Sequence, residues 1–292
     1  MDDKYASINL LKQAAERLVK WGGMISALGF LSFLLFLISP VAPFIGMIVS
    51  IGGFITLGIG FSRFKAASTQ YKNEFLIGMM KEVLPECTFN PSEGLSRADI
   101  DATEFLKRPD RFHSEDMLSG QLEDVQFVSS DVRLEERHVQ HTKNGTRVYY
   151  VTYFLGRVFE FTFNKPFDGY LQVLESGSPR VNRGYRKIDL EWVDFNQKFR
   201  TFATNELSAF YVLTPDIMER IMTLEKTHPG RIGFSFQEAK LFIAINNNQD
   251  TFDLKLFRKL DDSMIEESKK DLLVIKDIIV TLKLNNRIFK AN

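Results

Sequence analysis

The longest apolar pattern in the chain lies between Lys20 and Arg63, where neither a charged residue nor a histidine occurs. A membrane-spanning helix needs about 20 mainly apolar residues, because the hydrocarbon core is about 30 Å thick. Trp21–Ser39 and Phe44–Ser62 are each close to that length, and the two prolines between them favour a turn. The pattern predicts a helical hairpin over residues 21–62 that crosses a bilayer twice. Its length and lack of charge disfavour the alternative, a hairpin buried in a soluble core.

Basic residues flank this hairpin, whereas its connection carries none; they are Lys4, Lys12, Arg17 and Lys20 before it, and Arg63, Lys65, Lys72 and Lys81 after it. The positive-inside rule therefore predicts a multi-pass membrane protein with both termini in the cytoplasm and the lipid bilayer as a partner. Because neither span contains an ionisable group, a transporter or proton relay is disfavoured.

Small residues recur four positions apart in both spans, as in Gly22/Ser26, Gly23/Ala27, Gly46/Ser50 and Gly52/Thr56/Gly60. Such spacing lets helix backbones approach closely in lipid. One face per helix serves the hairpin itself, and a second small-residue face would favour a homo-oligomer.

Helical periodicity continues on both sides of the hairpin. Residues 1–20 predict an amphipathic helix whose apolar face contains Ile8, Leu11, Ala15 and Leu18, with Lys12 elsewhere. Residues 63–119 predict a helical stalk and linker, in which Phe64, Ser68, Tyr71, Phe75 and Met79 share a face and Ser96 and Ser114 cap short helices. We expect the two flanking helices to pack together, the alternative being that they lie on the membrane surface.

Residues 120–260 predict a β-rich domain, because apolar and aromatic residues alternate between turn signals. Strands are expected at Val125–Leu134, Val148–Phe163, Tyr170–Leu174, Ile188–Trp192, Ile232–Phe236 and Leu241–Ile245, with a hairpin turn at Asn144-Gly145 and a bulge or bend at Gly156. Residues 206–213 favour a helix over a strand at Phe210–Val212, and Thr214 should cap a further helix that has Pro215 in its first turn.

Residues 261–292 predict a closing amphipathic helix that packs on the sheet or on another helix, with a heptad face of Ile265, Ser268, Leu272, Ile275, Ile279 and Leu282. The predicted fold class is therefore α+β. A two-helix transmembrane hairpin with a helical stalk precedes a mainly antiparallel β-rich cytoplasmic domain with a C-terminal helix. A pleckstrin-homology-like barrel is an alternative arrangement of the strands.

The composition excludes several functions. Lys+Arg 37 and Asp+Glu 37 balance, so the basic excess of a nucleic-acid binder is lacking and no nucleic-acid partner is expected. Cys87, the only cysteine, cannot form an intrachain disulfide, which favours a reducing compartment. His138 and His141 are three residues apart and would point to opposite faces of a strand, so we expect solvated hairpin residues rather than metal ligands.

We predict no catalytic residue, cofactor or metal site. Neither a nucleophile elbow nor a phosphate-binding glycine loop occurs. Asp116 is expected at a helix N-terminus, and Glu219 and Arg220 on the solvent face of a helix, rather than in catalysis. The segment Asn164-Lys165-Pro166-Phe167-Asp168-Gly169 predicts a sheet corner, in which Pro166 fixes φ and Gly169 permits an unusual turn; the alternative is a recognition loop.

From Tyr71 to about Leu260 the chain resembles a bacterial membrane-protein family known as domain of unknown function 3137. The blocks that carry the resemblance are Arg111–Asp116 with Gly120, Gly156–Phe159, Phe163–Gly169, Phe195–Phe199, Tyr211–Arg220, Ile232–Phe236 and Leu241–Ile245. Phe210 stands where the family pattern prefers Arg or Lys. The resemblance implies an N-terminal hairpin anchor in the cell membrane, a cytoplasmic α+β domain, no established activity and a LemA-type membrane protein as a partner.

Three functions remain open. The sequence favours a membrane-anchored interaction or scaffold protein, because it combines an anchor and a stalk with no catalytic motif. A membrane-tethered sensor that binds a lipid or small ligand is the main alternative, and an enzyme is the third.

Overall fold

The structure, a computed structural model, describes residues 2–37, 39–143, 145–163 and 165–285. The predicted turn residue Asn144, the loop residue Asn164 and the end of the predicted C-terminal helix lie outside these ranges. The chain divides into two compact units. The first contains the chain up to Met79 together with Phe252–Ser268, and the second contains Met80–Thr251 together with the chain from Lys269 onward.

Long helices dominate the first unit. Helix α1 (Asp2–Leu31) is followed by a 3-10 segment (Ser32–Leu37), and α2 (Ala42–Gln70) continues through a π-helical stretch (Tyr71–Leu76) into α3 (Ile77–Val83). The predicted N-terminal helix and most of the first span therefore form one helix. Among the described residues, one helical segment, Ala42–Val83, is long and apolar enough to cross a membrane.

Helices α1 and α2 lie antiparallel and touch through glycines spaced seven residues apart, namely Gly22 and Gly29 in α1 and Gly46, Gly53 and Gly60 in α2. A Cβ atom added to Gly53 would lie 2.4 Å from the backbone nitrogen of Ser26, so only glycine allows this approach. Gly23 and Gly52, which the four-residue spacing also selects, have no such neighbour within 4 Å. The contact therefore follows the seven-residue repeat.

The predicted apolar face of the N-terminal helix is partly wrong. Ile8 and Ala15 are buried, but Leu11 is 49% exposed and Lys12, expected elsewhere, is buried at 2%. The Lys12 ammonium group donates to the carbonyl oxygen of Arg258 at 2.6 Å. The Glu16 carboxylate, four residues further along the helix, pairs with the ammonium charge. Lysine can therefore occupy a buried position that a purely apolar pattern assigns to an apolar residue.

The predicted stalk face is confirmed except at Phe64, which is half-buried, since Ser68, Tyr71, Phe75 and Met79 are all buried. Polar contacts join it to the 252–268 segment: the Tyr71 hydroxyl lies 2.9 Å from the Ser268 hydroxyl, and Lys72 pairs with Asp253 at 2.8 Å.

The described residues of the second unit form one nine-stranded sheet in which every neighbouring pair is antiparallel. The strands are β1 (Cys87–Asn90), β2 (Arg111–Leu122), β3 (Val125–Thr142), β4 (Gly145–Thr162), β5 (Tyr170–Leu174), β6 (Arg186–Ile188), β7 (Arg200–Ala203), β8 (Arg231–Gln237) and β9 (Lys240–Asn246). Their order is β1-β2-β3-β4-β9-β8-β5-β7-β6, with β1 and β6 at the edges. The α+β fold class is confirmed, and among the described strands the barrel alternative is not formed.

The sheet begins at Cys87 rather than near Gly120. Ser96 caps α4 (Arg97–Ala102) as predicted, by accepting a hydrogen bond from the Asp99 nitrogen. The predicted cap at Ser114 is wrong, because this residue lies in β2. Asp116 serves no helix; it has a φ of 58° and lies where the β2–β3 register shifts. Since much of β2 is half-exposed, its sequence lacks the alternation typical of strands.

Two other local predictions need correction. Strand β6 ends at Ile188, and the segment that follows leads into α5 (Val193–Lys198) rather than extending the strand to Trp192. The register between β3 and β4 shifts by one residue: Leu134 pairs with Phe154, but the next residue, Glu135, pairs with Thr152. The irregularity therefore lies between Thr152 and Phe154, whereas Gly156 pairs regularly. A glycine is required at position 156 because β9 approaches closely there: a Cβ atom on this residue would lie 2.0 Å from the Ile245 carbonyl oxygen.

The helical predictions after Ala203 are confirmed as α6 (Glu206–Val212), α7 (Pro215–Thr227) and α8 (Asp262–Leu282), and Thr214 caps α7. The predicted face of α8 is buried except for Ile265, which is half-buried. Arg220, expected on a solvent face, donates to the Thr281 carbonyl oxygen at 2.8 Å, and His228 contacts Asp277 at 2.7 Å. Polar contacts thus bond α8 both to α7 and to His228, the residue that follows α7.

Candidate functional site: an apolar pocket beside α6

The predicted recognition segment connects β4 to β5, and its described residues, 165–169, form a tight loop. Gly169 has a φ of +88°, which confirms the unusual turn expected there. The ring of Phe167 packs edge-on against Phe236 with 5.3 Å between centroids, and its backbone nitrogen donates to the carbonyl oxygen of Glu238. The loop is thereby fixed against the β8–β9 hairpin.

Asp168 fastens this loop to α6. Its carboxylate accepts hydrogen bonds from the Asn205 side chain at 2.9 Å and from the Ser208 hydroxyl at 3.0 Å. Asn205 also caps α6, since its side-chain oxygen accepts from the backbone nitrogens of Leu207 and Ser208. One asparagine therefore both starts the helix and holds it against the loop.

A cavity of about 370 Å³ lies between the loop and α6. Leu171, Val212 and Phe236, all buried, contribute to its lining, together with Phe167 and Tyr211. Small-molecule sites in proteins start at about 300 Å³ and are mostly apolar with a few polar groups. The cavity matches that description.

Helix α6 presents a continuous apolar face to solvent beside the cavity. Leu207 is 81% exposed, Phe210 43% and Tyr211 59%, whereas Ala209 and Val212 are buried. Residues three and four positions apart are neighbours on a helix, so the three exposed side chains form one patch. Leu207 and Tyr211 also line the cavity, so patch and cavity are continuous.

Among the described residues that line the cavity, Lys165 carries a positive charge. The Lys165 ammonium group lies 5.6 Å from the centroid of the Tyr211 ring, within the range of a cation–π contact. No histidine or cysteine lines the cavity in the described part of the chain. The arrangement suits recognition of an apolar group by shape and desolvation.

Other residues singled out from the sequence lie away from this loop. His138 stacks on Tyr149, and His141 contacts Thr146, on opposite faces of β3. Burial, aided by the negative charge of Glu86, raises the pKa of the Cys87 thiol to about 11. That shift opposes the thiolate form that a nucleophile needs.

An acidic cluster was not foreseen. One carboxylate oxygen from each of Glu115, Asp116 and Asp250 lies within 4.8 Å of the others. Arg133 contacts Asp250 at 3.4 Å and supplies an opposing charge. Asp250 is remote in sequence from the other two carboxylates, so no local spacing could reveal the group.

Sequence reasoning found the loop but missed the helix that completes the site. Leu207, Ser208 and Tyr211 belong to a segment whose helical form was predicted without a functional role. The available signal was its apolar spacing at 207, 210 and 211.

The fold and site together define an α+β protein with a large antiparallel sheet and an apolar pocket. Residues 152–284 match the model of the family described as "Protein of unknown function (DUF3137)". This match supports the family assignment expected from the sequence, over a segment that includes the residues lining the pocket. The match begins at Thr152 rather than at Tyr71, so the block Arg111–Asp116 with Gly120 lies outside it, and it extends beyond Leu260 past the end of α8.

A likeness among solved structures is far more distant. The crystal structure of the mycobacterial trehalose monomycolate transport factor A, TtfA, is 8% identical in sequence, with a TM-score of 0.38. The alignment covers 72% of this chain and 97% of that one. At this TM-score the likeness supports no functional inference. No curated protein matches the chain significantly.

Proposed function

We propose that this protein is a membrane-anchored interaction protein whose pocket beside α6 receives an apolar segment of a partner protein. The observation that carries the proposal is the exposed patch of Leu207, Phe210 and Tyr211, continuous with the cavity. Exposed apolar patches adjoining a cavity mark interaction sites, because leaving them in water is unfavourable. A residue such as Tyr211 provides a large contact area with little loss of conformational freedom.

The proposed anchor is a two-span hairpin formed by α1 and α2 in the bacterial cytoplasmic membrane, with both termini cytoplasmic. This proposal is supported by the distribution of side chains, since small residues lie between the two helices and large apolar residues lie on their exposed faces. Glycines line the contact between the helices, while Leu28, Phe30, Ile48 and Phe54 are each more than 60% exposed. In lipid, close backbone packing replaces the hydrophobic force between helices, and large apolar side chains face the acyl chains. This extends the proposal to α1, in addition to Ala42–Val83, the one described segment that is both long and apolar enough to cross a membrane.

Two protein partners follow from this proposal. A LemA-type membrane protein is the first to test, because the family resemblance implies it. A second copy of this chain is the other. Gly23 and Gly52 have no neighbour within 4 Å and leave a small-residue face on each helix for association in the bilayer.

A second candidate function is favoured by the cavity volume. A site of about 370 Å³ with an apolar lining could hold the apolar part of a lipid or another small ligand. In that case the protein would be a membrane-tethered sensor. We propose no enzymatic activity.

The pocket proposal is tested by affinity capture from gently solubilised membranes with a double variant, Leu207→Ser with Tyr211→Ser. Val193→Ser is the matched control, because Val193 is 63% exposed on another short helix. A partner retained by the wild type and the control but lost by the double variant supports the proposal. A partner retained by all three rejects the pocket, and native mass spectrometry showing a co-purified small molecule instead favours the sensor.

The anchor has its own test. The full chain should stay in the membrane pellet after alkaline carbonate extraction, and a reporter fused to the C-terminus should be active only in the cytoplasm. Release by carbonate would reject the anchor, and an external C-terminus would reject the two-span topology.

A further inference from the structure

The hairpin of β3 and β4 reaches beyond the rest of the sheet. Strand β2 pairs with β3 only as far as Glu135, and β9 pairs with β4 only from Arg157 onward. Past these points the two strands pair with each other alone. We call residues 137–143 and 145–151 the arm; at about 3.3 Å per residue it extends roughly 20 Å.

The arm is basic although the chain as a whole is neutral. Arg137, Lys143 and Arg147 are exposed, and the sequence contains no Asp or Glu from Arg137 to Phe159. Among the described residues, none of these three side chains pairs with a carboxylate. Their charges are therefore available to an external anion.

Apolar side chains lie among these charges. Val139, Val148, Tyr149 and Val151 are each between 41% and 43% exposed, and Val139 pairs with Val148 across the two strands. A two-stranded ribbon is marginally stable by itself in water. Basic and aromatic residues alternating with small aliphatic ones are typical of segments that settle at a lipid headgroup layer.

We propose that the arm docks on the anionic headgroups of a phospholipid surface. The inference rests on the membrane anchoring in the proposed function, because a tethered chain meets headgroups at high local concentration. It requires no fixed placement of the two units. Charge complementarity favours this occupant, since the arm has three free cations and no anion, and phospholipid surfaces of the cytoplasmic leaflet are negative.

The experiment reconstitutes the full chain in nanodiscs of phosphatidylcholine, with or without phosphatidylglycerol. Thr142→Cys carries an environment-sensitive dye near the arm tip; Cys87 is buried and its raised thiol pKa suppresses competing labelling. Co-elution of protein and disc verifies the anchor independently. We expect a blue shift in anionic discs that is absent from zwitterionic discs and disappears at 1 M salt, where the Debye length is about 3 Å.

The arm variant is R137Q/K143Q/R147Q, and its matched control is R186Q/K187Q/K226Q, which removes three exposed positive charges from other elements of the same unit. Each basic residue near an anionic surface contributes about fivefold to binding, so the arm variant should dock on the order of 100-fold more weakly. The control should keep the shift.

The proposal would be overturned if the dye showed the same blue shift in anionic and zwitterionic discs. It would also be overturned if the arm variant and the control variant lost the shift to the same extent. Binding of a labelled RNA that the arm variant abolishes, without any disc-dependent shift, would assign the arm to nucleic acid instead. Failure of the chain to co-elute with discs would reject the anchor alone, and anionic vesicles added to detergent-solubilised protein would then still test the arm.

Discussion

The ion pair between Asp131 and Arg157 should be among the most costly polar contacts to break in the sheet unit. These residues face each other across β3 and β4, with 2.9 Å between the Arg157 Nε and the Asp131 carboxylate. Both are buried, at 4% and 5% exposure. The same carboxylate accepts the Thr251 nitrogen at 2.7 Å, and Arg157 donates to the Asp271 carbonyl oxygen at 3.3 Å. The pair thus joins two strands, the segment after β9 and α8.

The size of the effect follows from burial. Removing one partner leaves the other charge buried, at a cost of about 3–5 kcal/mol. The free energy of unfolding of a typical domain is about 5–15 kcal/mol, so Asp131→Ala alone should remove a large part of it. Replacing both residues by apolar ones, as in Asp131→Leu with Arg157→Met, removes both buried charges and should cost less than either single change.

Urea unfolding of the full chain measures these losses. A Trp21→Phe background leaves Trp192 as the reporter, and that residue belongs to the sheet unit. Lys187 and Asp189 form the control pair: they lie 3.0 Å apart but their side chains are 58% and 75% exposed, so Asp189→Ala should cost less than about 1 kcal/mol. The reasoning fails if Asp131→Ala lowers the free energy of unfolding no more than Asp189→Ala does. It also fails if the loss in the double variant equals the sum of the losses in Asp131→Leu and Arg157→Met measured separately.

Three further predictions use matched positions. Gly53→Leu should destabilise the helix pair by about 1–3 kcal/mol in detergent melts, and Gly52→Leu, which meets open space, should not; equal effects would contradict the seven-residue contact. Gly169→Ala and Gly177→Ala both force alanine into positive φ, but only the former also meets a neighbouring side chain at 2.8 Å, so it should lower thermal stability more; a larger loss at Gly177 would be inconsistent with this geometry. The pKa of the Cys87 thiol is raised from 9.0 to about 11, so the folded protein should react with iodoacetamide at pH 8 roughly 100-fold more slowly than the protein unfolded in urea. Because the folded state favours the neutral thiol, the stability that this thiol contributes should be lost as the pH rises from 9.0 through about 11.

The sequence predicted those elements whose local pattern agrees with their environment. Strands β5, β8 and β9 are buried and bounded by turn residues, and α7 has both a Thr214 cap and Pro215 at its start. The stalk face was found because one helix buries it along its length. In these segments propensity, periodicity and burial point to the same structure.

Other elements depend on contacts remote in sequence. Strands β1 and β2 are short or half-exposed, and β2 is stabilised by pairing with β3 rather than by a pattern of its own. Lys12 is buried because Glu16 pairs with its charge and a carbonyl group 246 residues away accepts a hydrogen bond from it. Periodicity evaluates hydrophobicity alone, so a buried lysine with a hydrogen-bond partner distant in sequence is assigned to the wrong face.

The candidate site combines both cases. Pro166 and Gly169 form a tight corner that can be predicted from the sequence. The pocket forms beside it only because Asp168 accepts hydrogen bonds from Asn205 and Ser208, which lie about 40 residues further along the chain. Phe210 keeps the exposed face of α6 continuously apolar between Leu207 and Tyr211. We therefore expect a partner that docks at the proposed site to present an apolar surface to this face, because a charged group placed there would lose its hydration without gaining an opposite charge.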